Sequence, residues 1–235
     1  MPEPTSAKSS LKNTTFLPPL IEMKDICFAY EEQIALRHVD LTVNRGECVI
    51  LMGPNGCGKS TLLKLLNGLL YPNQGTYLFE GKVIDQKTLK NPKTAKAFHQ
   101  KVGFIFQNAD LQLFCSSVTE EIAFGPMQMG LSQEVVNQRV DDMLRLLGIE
   151  HLRDRAPYHL SGGEKRKVSL ACILSMNPSV LVLDEPIAGL DRKTSAWLLD
   201  FLKTMKQAGK TLIIATHNDA LAQALGDRII EMEEA

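Results

Sequence analysis

Five apolar residues, Cys48-Val49-Ile50-Leu51-Met52, run straight into Gly53-Pro54-Asn55-Gly56-Cys57-Gly58-Lys59-Ser60, and Leu62, Leu63, Leu65 and Leu66 follow at helical spacing up to Gly68. An unbroken apolar run this short predicts a strand buried on both faces, the kind found in parallel sheets covered by helices. The glycines then let successive backbone N–H groups turn toward one point and make a nest for an anion. A helix starting near Ser60 adds its free N–H groups and the positive end of its dipole. In the pattern G-x-x-x-x-G-K-[ST], Lys59 reaches the outer phosphates of a nucleoside triphosphate and the Ser60 hydroxyl can coordinate Mg²⁺. A plain turn between a strand and a helix requires none of these residues in register. The motif specifies a nucleotide, but kinases, GTPases and motor proteins share it.

The rest of the chain continues the alternation. Ile21 and Met23, and then Val39, Leu41 and Val43, alternate with polar residues as strands do. Val102–Phe106, Val180–Leu183 and Leu212–Ala215 read as further buried strands, the last two each preceded by a helical pattern. Strands alternating with helices predict an α/β fold with a mostly parallel sheet covered on both faces. Between Asn108 and His159, Val136, Val140, Met143, Leu144 and Leu147 recur at helical spacing, which predicts a helical lobe inserted into that core at about 108–160. The lysine-rich stretch from Lys82 to Lys101 reads as surface connections. Residues 1–19, rich in Pro, Ser, Thr and Lys, read as a disordered tail and contain no secretory signal. The remainder, 20–235, reads as one domain.

Composition narrows the function. Lys and Arg number 26 against 27 Asp and Glu, a balance that argues against a strongly basic nucleic-acid binder. The five cysteines show no C-x-x-C pairing, which predicts reduced thiols with neither a disulfide framework nor a zinc site. No apolar run approaches the roughly 20 residues that span a bilayer.

Val180-Leu181-Val182-Leu183 ends in Asp184-Glu185. A buried strand would carry Asp184 to the tip of the sheet, where it holds Mg²⁺ directly or through water, with Glu185 placed to polarise an attacking water. Solvated loop acids are the plainer account of such a pair taken alone. His217 and Gln107 close two other strands on the rim where open α/β sheets bind ligands. His217 is a candidate contact to the γ-phosphate or the attacking water, and Gln107 a candidate sensor of Mg²⁺ and water.

Leu160-Ser161-Gly162-Gly163-Glu164 opens another helical pattern. Ser161 and Glu164 form a capping-box spacing, and two bare glycines beside a capped helix N-terminus offer a second phosphate site. One ATP cannot easily touch both cradles in one chain. Two chains arranged head-to-tail resolve this, each phosphate-binding loop facing Ser161 of the other.

At this point the sequence resembles the ABC ATPases, over Leu20 to about Met232. The match comprises the phosphate loop, Gln107, Leu160-Ser161-Gly162-Gly163, Asp184-Glu185, Ala188-Gly189-Leu190-Asp191 and His217. Glu164 stands where many members have glutamine. The resemblance implies a P-loop core with an N-terminal antiparallel β subdomain and ATP with Mg²⁺ as ligands. It implies Gly53 to Ser60 with Thr61 as nucleotide-binding, Tyr30 as the ring that stacks on adenine, and Ser60, Gln107 and Asp184 around the metal. Glu185 and His217 would be catalytic, Ser161, Gly162, Gly163 and Glu164 would contact the ATP of a partner, and Asp191 would lie at the dimer interface.

Asn108-Ala109-Asp110-Leu111-Gln112-Leu113-Phe114 and Val118-Thr119-Glu120-Glu121-Ile122-Ala123-Phe124-Gly125-Pro126 resemble the ATPases of energy-coupling factor importers. Those take up transition-metal ions such as cobalt and nickel, or vitamins such as biotin. The resemblance implies a peripheral subunit at the cytoplasmic face of the membrane, a homodimer or a heterodimer with a second ABC ATPase. Its partners would be a transmembrane coupling protein and a separate substrate-binding membrane protein, with no nucleic acid. Ordinary packing of Leu113, Phe114, Ile122 and Phe124 in the lobe is the alternative. Other ABC transporter classes, soluble ABC ATPases acting on nucleic acid or ribosomes, and small-molecule kinases are the competing readings.

Overall fold

The computed structural model describes residues 18–234, so the tail expected over 1–19 lies almost wholly outside the described residues. The chain order runs β1 (Ile21–Tyr30), β2 (Gln33–Val43), β3 (Cys48–Met52), α1 (Lys59–Leu66), β4 (Gln74–Phe79), β5 (Lys82–Val83), α2 (Gln86–Leu89), α3 (Pro92–Lys101) and β6 (Val102–Ile105). Then come α4 (Val118–Gln128), α5 (Gln133–Leu147), α6 (Gly162–Leu174), β7 (Val180–Asp184), α7 (Arg192–Gln207), β8 (Thr211–Ala215), α8 (Asp219–Leu225) and β9 (Arg228–Glu231).

The core is a parallel sheet of order β6-β7-β8-β3-β9. Its apolar runs are unbroken because both faces are covered. Val49, Leu51, Val180, Val182, Ile213 and Ala215 pack on one side with α1 and the second sheet. Their neighbours Ile50, Leu181, Leu183, Leu212 and Ile214 pack on the other with α4 to α8. The second sheet, β2-β1-β4-β5, is antiparallel and sends Ile21, Met23, Ile26 and Phe28 into the first of these cores. The helical lobe forms as the spacing predicts, with Val136, Val140, Leu144 and Leu147 buried along α5 and α4 packed between α5 and α6.

One expectation is corrected. Residues 82–101 are not surface connections: they hold β5, α2 and α3. Asp85 caps α2 by accepting the Thr88 N–H (2.6 Å), and Asn91 caps α3 by accepting the Lys93 N–H (3.0 Å), with Pro92 in the first turn. These helices rest on few apolar anchors, chiefly Phe98, whose ring meets Phe79 edge-on at 5.4 Å. A face that narrow leaves no periodic signal, and the caps were the legible cue. The strand β9 gives no burial-driven signal in sequence, since as a sheet edge it is mostly exposed.

Asp227 ties that edge down. Its carboxylate accepts the Cys48 N–H (2.9 Å) and the Lys206 ammonium (2.7 Å), and the Lys206 contact holds it below the ordinary aspartate range. Asp227→Ala is expected to cost about 1–2 kcal/mol of stability in urea melts at neutral pH, chiefly by stranding the Cys48 N–H. Because the folded pKa is depressed, the contribution is present above the unfolded value and lost as pH falls through the folded one. The part that depends on the ionised carboxylate, chiefly the Lys206 pair, should therefore fade as pH falls below the ordinary aspartate range, narrowing the gap between wild type and variant without closing it.

Candidate active site

β3 delivers the phosphate loop to the carboxyl edge of the sheet. Gly53 (φ +146°) and Gly58 (φ +92°) are required there, since a Cβ on either would lie 2.3 Å from a carbonyl oxygen, of Met232 and Ala35 respectively. Lys59 is buried and folds back over the loop, donating to the carbonyl oxygens of Gly53 (2.7 Å) and Pro54 (2.8 Å). A buried ammonium that is held by two neutral carbonyls keeps its charge available for an anion. A cleft of about 260 Å³ brings Asn55, Gly56, Gly58, Lys59, Ser60 and Thr61 together with Gln107, Asp184, Glu185 and His217. Gly53, Pro54 and Cys57 support the loop without lining the cleft. Tyr30 stands outside it, half exposed, with its ring edge-on to Phe28 (4.9 Å) and its hydroxyl 3.5 Å from Thr61 Oγ1.

Asp184 and Glu185 are both buried, which solvated loop acids would not be. Burial pushes the Asp184 carboxyl above the ordinary range, and the negative Glu185 adds to this, while the Ser60 hydroxyl and Lys59 pull the other way. Glu185 sits at φ +44°, its N–H donating to the Ala215 carbonyl (2.9 Å). Its carboxylate is gripped at both oxygens: His217 Nδ1 lies 2.8 Å from Oε1, and the Thr216 hydroxyl donates to Oε2 (3.2 Å). The positive φ turns the side chain back from the strand into the cleft. Ser60, Asp184 and Gln107 present hydroxyl, carboxylate and amide oxygens to one space, a hard donor set that fits Mg²⁺.

The helix start expected to form a second phosphate cradle lies apart from this cleft. Ser161 Oγ accepts the Glu164 N–H (3.4 Å), and Glu164 accepts the Ser161 N–H (2.8 Å), completing the capping box. Gly162 is open, and a Cβ on Gly163 would meet Thr194 Oγ1 at 3.0 Å. Thr194 is in turn held by Asp191, which caps α7 and accepts its hydroxyl at 2.6 Å. Ser161 and Asp191 therefore occupy neighbouring turns, and neither lines the cleft of its own chain.

Sequence reasoning missed Arg166. It is buried on α6 and donates to the carbonyl oxygens of Phe106 and Gln107, both at 2.6 Å, which fastens the Gln107 loop to the helix headed by Ser161. A charged residue four before Leu170 on an apolar helix face was the available signal.

The fold and the cleft define a P-loop nucleoside triphosphatase. The ABC transporter family model matches residues 36–188, and the chain belongs to that family, whose ATP-binding cassettes hydrolyse ATP to power transport. The nickel import ATP-binding protein LarO of Lactiplantibacillus plantarum is 48% identical over 211 residues, spanning 90% of this chain and 88% of LarO. The structure of cbiO1 from Clostridium perfringens, part of the ABC transporter complex cbiONQ, matches with a TM-score of 0.80 and 36% identity over 92% of this chain and 85% of that one. The ATP-binding cassette MJ0796, solved as a dimer bound to ADP and Pi, matches with a TM-score of 0.81 and 28% identity over 91% and 94%. Among the described residues no helix is long and apolar enough to cross a membrane.

Proposed function

We propose that two copies of this chain close over ATP at the cytoplasmic face of the membrane and power an energy-coupling factor importer of a transition-metal ion such as nickel or cobalt. Lys59 and the loop N–H groups bind the phosphates, and Tyr30 stacks on the adenine. Ser60, Gln107 and Asp184 hold Mg²⁺, which neutralises charge on the phosphates when bound. Glu185 takes the proton of the attacking water, with His217 and Thr216 fixing its orientation. Ser161 to Glu164 of the partner subunit cap the γ-phosphate, and Asp191 bridges the two chains. Hydrolysis removes the bridging contacts, and the dimer opens.

One observation carries the membrane-facing part. Phe114 and Phe124 stay 69% and 43% exposed although their rings meet edge-on at 5.1 Å. They border a groove of about 430 Å³ that Met129, Ile173 and Met176 also line. Ordinary packing would have buried them, as it buries Ile122. Glu121, buried beneath, accepts the N–H groups of Phe114 and Cys115 and so fixes this lip. The groove supports docking of helices from a transmembrane coupling protein, with a separate membrane protein binding the cargo. For the cargo, the support is the likeness to LarO and cbiO1.

Phe124→Asp is expected to abolish co-purification with the coupling protein while leaving the isolated subunit's ATPase rate within about twofold, since surface changes rarely exceed ±0.5 kcal/mol. For the cargo, cells lacking this chain should lose uptake of radioactive nickel or cobalt and regain it with the wild-type chain but not with Glu185→Gln. Intact metal uptake with lost biotin uptake would refute the metal assignment.

A further inference from the structure

The antiparallel subdomain carries a side-chain cluster that does not line the nucleotide cleft. Asp25 and Cys27 on β1 and His38 on β2 place one ligand atom each within 4.8 Å of the others, the only such trio of His, Cys, Asp or Glu among the described residues. Strand register explains the convergence. Met23 pairs with Leu41 and Ile26 with Val39, so Lys24 and Asp25 share the space opposite Asp40. Ile26 pairs with Val39 and Phe28 with Leu36, so Arg37 and His38 share the space opposite Cys27. These are two successive bulges, one on each strand, and Asp25 (φ +54°) and His38 (φ +50°) take left-handed backbone within them. Bulges re-aim side chains, and here both turn toward Cys27.

The contacts form a graded set of ligands. His38 Nδ1 lies 2.6 Å from Asp25 Oδ1 and 3.7 Å from Cys27 Sγ. The His38 N–H donates to the same sulfur at 3.2 Å, which fixes the sulfur beside the imidazole. Behind them, Gln74 donates to Asp25 Oδ2 (2.6 Å) and so orients the carboxylate, while the Asp25 N–H donates to Asp40 (2.7 Å) and pins the bulged backbone. Bond lengths of about 2.0–2.1 Å to nitrogen or oxygen and 2.3 Å to sulfur place tetrahedral ligands about 3.3 Å apart for N and O and about 3.6 Å apart for N and S. Cys27 Sγ already stands at nearly that distance from His38 Nδ1. The carboxylate oxygen has to withdraw by less than about 1 Å, which its exposed side chain permits. A surface His–Asp pair alone would leave the converging thiol and the paired bulges without a role.

We propose that Asp25, Cys27 and His38 bind a divalent transition-metal ion of the zinc, cobalt or nickel type, separate from the nucleotide cleft, with the fourth position open to water. One nitrogen, one sulfur and one oxygen suit such borderline ions and not Mg²⁺ or Ca²⁺. The inference is independent of which cargo the importer carries.

The test is titration of the full-length, metal-stripped chain with Co²⁺, in excess Mg²⁺ and a phosphine reductant. The expected spectrum has a thiolate-to-cobalt charge-transfer band and strong tetrahedral d–d absorption that saturate at a single equivalent. Cys27→Ser should remove the charge-transfer band, and His38→Ala should weaken binding about tenfold or more. Cys115→Ser, away from the trio, should change neither, and all three variants should keep the wild-type ATPase rate. No charge-transfer band in the wild type, a band that survives in Cys27→Ser, or an affinity unmoved by His38→Ala would each overturn the proposal.

Discussion

Glu185→Gln should leave ATP affinity near the wild-type value and lower phosphate release by roughly 10²- to 10⁴-fold, the range that removal of a general base commands. The amide fills the same buried volume and can keep partners at His217 and Thr216, so the cleft retains its shape. It cannot take a proton from water. With the bridging γ-phosphate preserved, the closed pair of chains should accumulate, and gel filtration with ATP and Mg²⁺ should show a dimer absent without nucleotide. A variant that stays monomeric, or that hydrolyses at the wild-type rate, would remove Glu185 from the role assigned to it.

Lys59→Ala should fail earlier, at binding. The lysine is the buried cation beside the loop, and truncating one partner of such a charged contact costs about 2 kcal/mol or more, a loss of about 30-fold or greater in affinity. A fluorescent ATP analogue titrated into the variant measures this, with circular dichroism as the check that the loop has not unfolded the chain. The control matters because Lys59 also holds the carbonyls of Gly53 and Pro54 in the nucleotide-free protein. Unchanged affinity in a folded variant would move the phosphate site elsewhere.

Much of this site was legible because its parts are local in sequence. The run Cys48–Met52 had to be a strand buried on both faces, and the glycines after it had to turn. Ser161 and Glu164 announced a helix start by their spacing, and the capping box formed. The apolar runs ending at Asp184 and Thr216 placed Glu185 and His217 on one rim, although no spacing could specify the 2.8 Å contact between them. What escaped was set by tertiary pairing. Arg166 is meaningful only because α6 lies against the carbonyls of Phe106 and Gln107. The small helices at 86–101 lean on caps and on Phe98 and carry too few apolar residues for a period. The C-x-x-C count bears only on cysteine-paired sites. The trio of Asp25, Cys27 and His38 is assembled by bulges across two strands, which no linear spacing records.

The claim on which the mechanism rests is that each nucleotide is completed by loops of two polypeptides. A mixing experiment tests it directly, using Lys59→Ala, which spoils the phosphate loop, and Ser161→Arg, which obstructs the cradle at the head of α6. Each chain alone should be inactive. Combined in equal amounts they form mixed dimers in which one site pairs an intact loop with an intact cradle, so the mixture should regain about a quarter of wild-type turnover. A mixture no more active than its components, or a Ser161→Arg chain that turns over ATP normally by itself, would contradict the shared site.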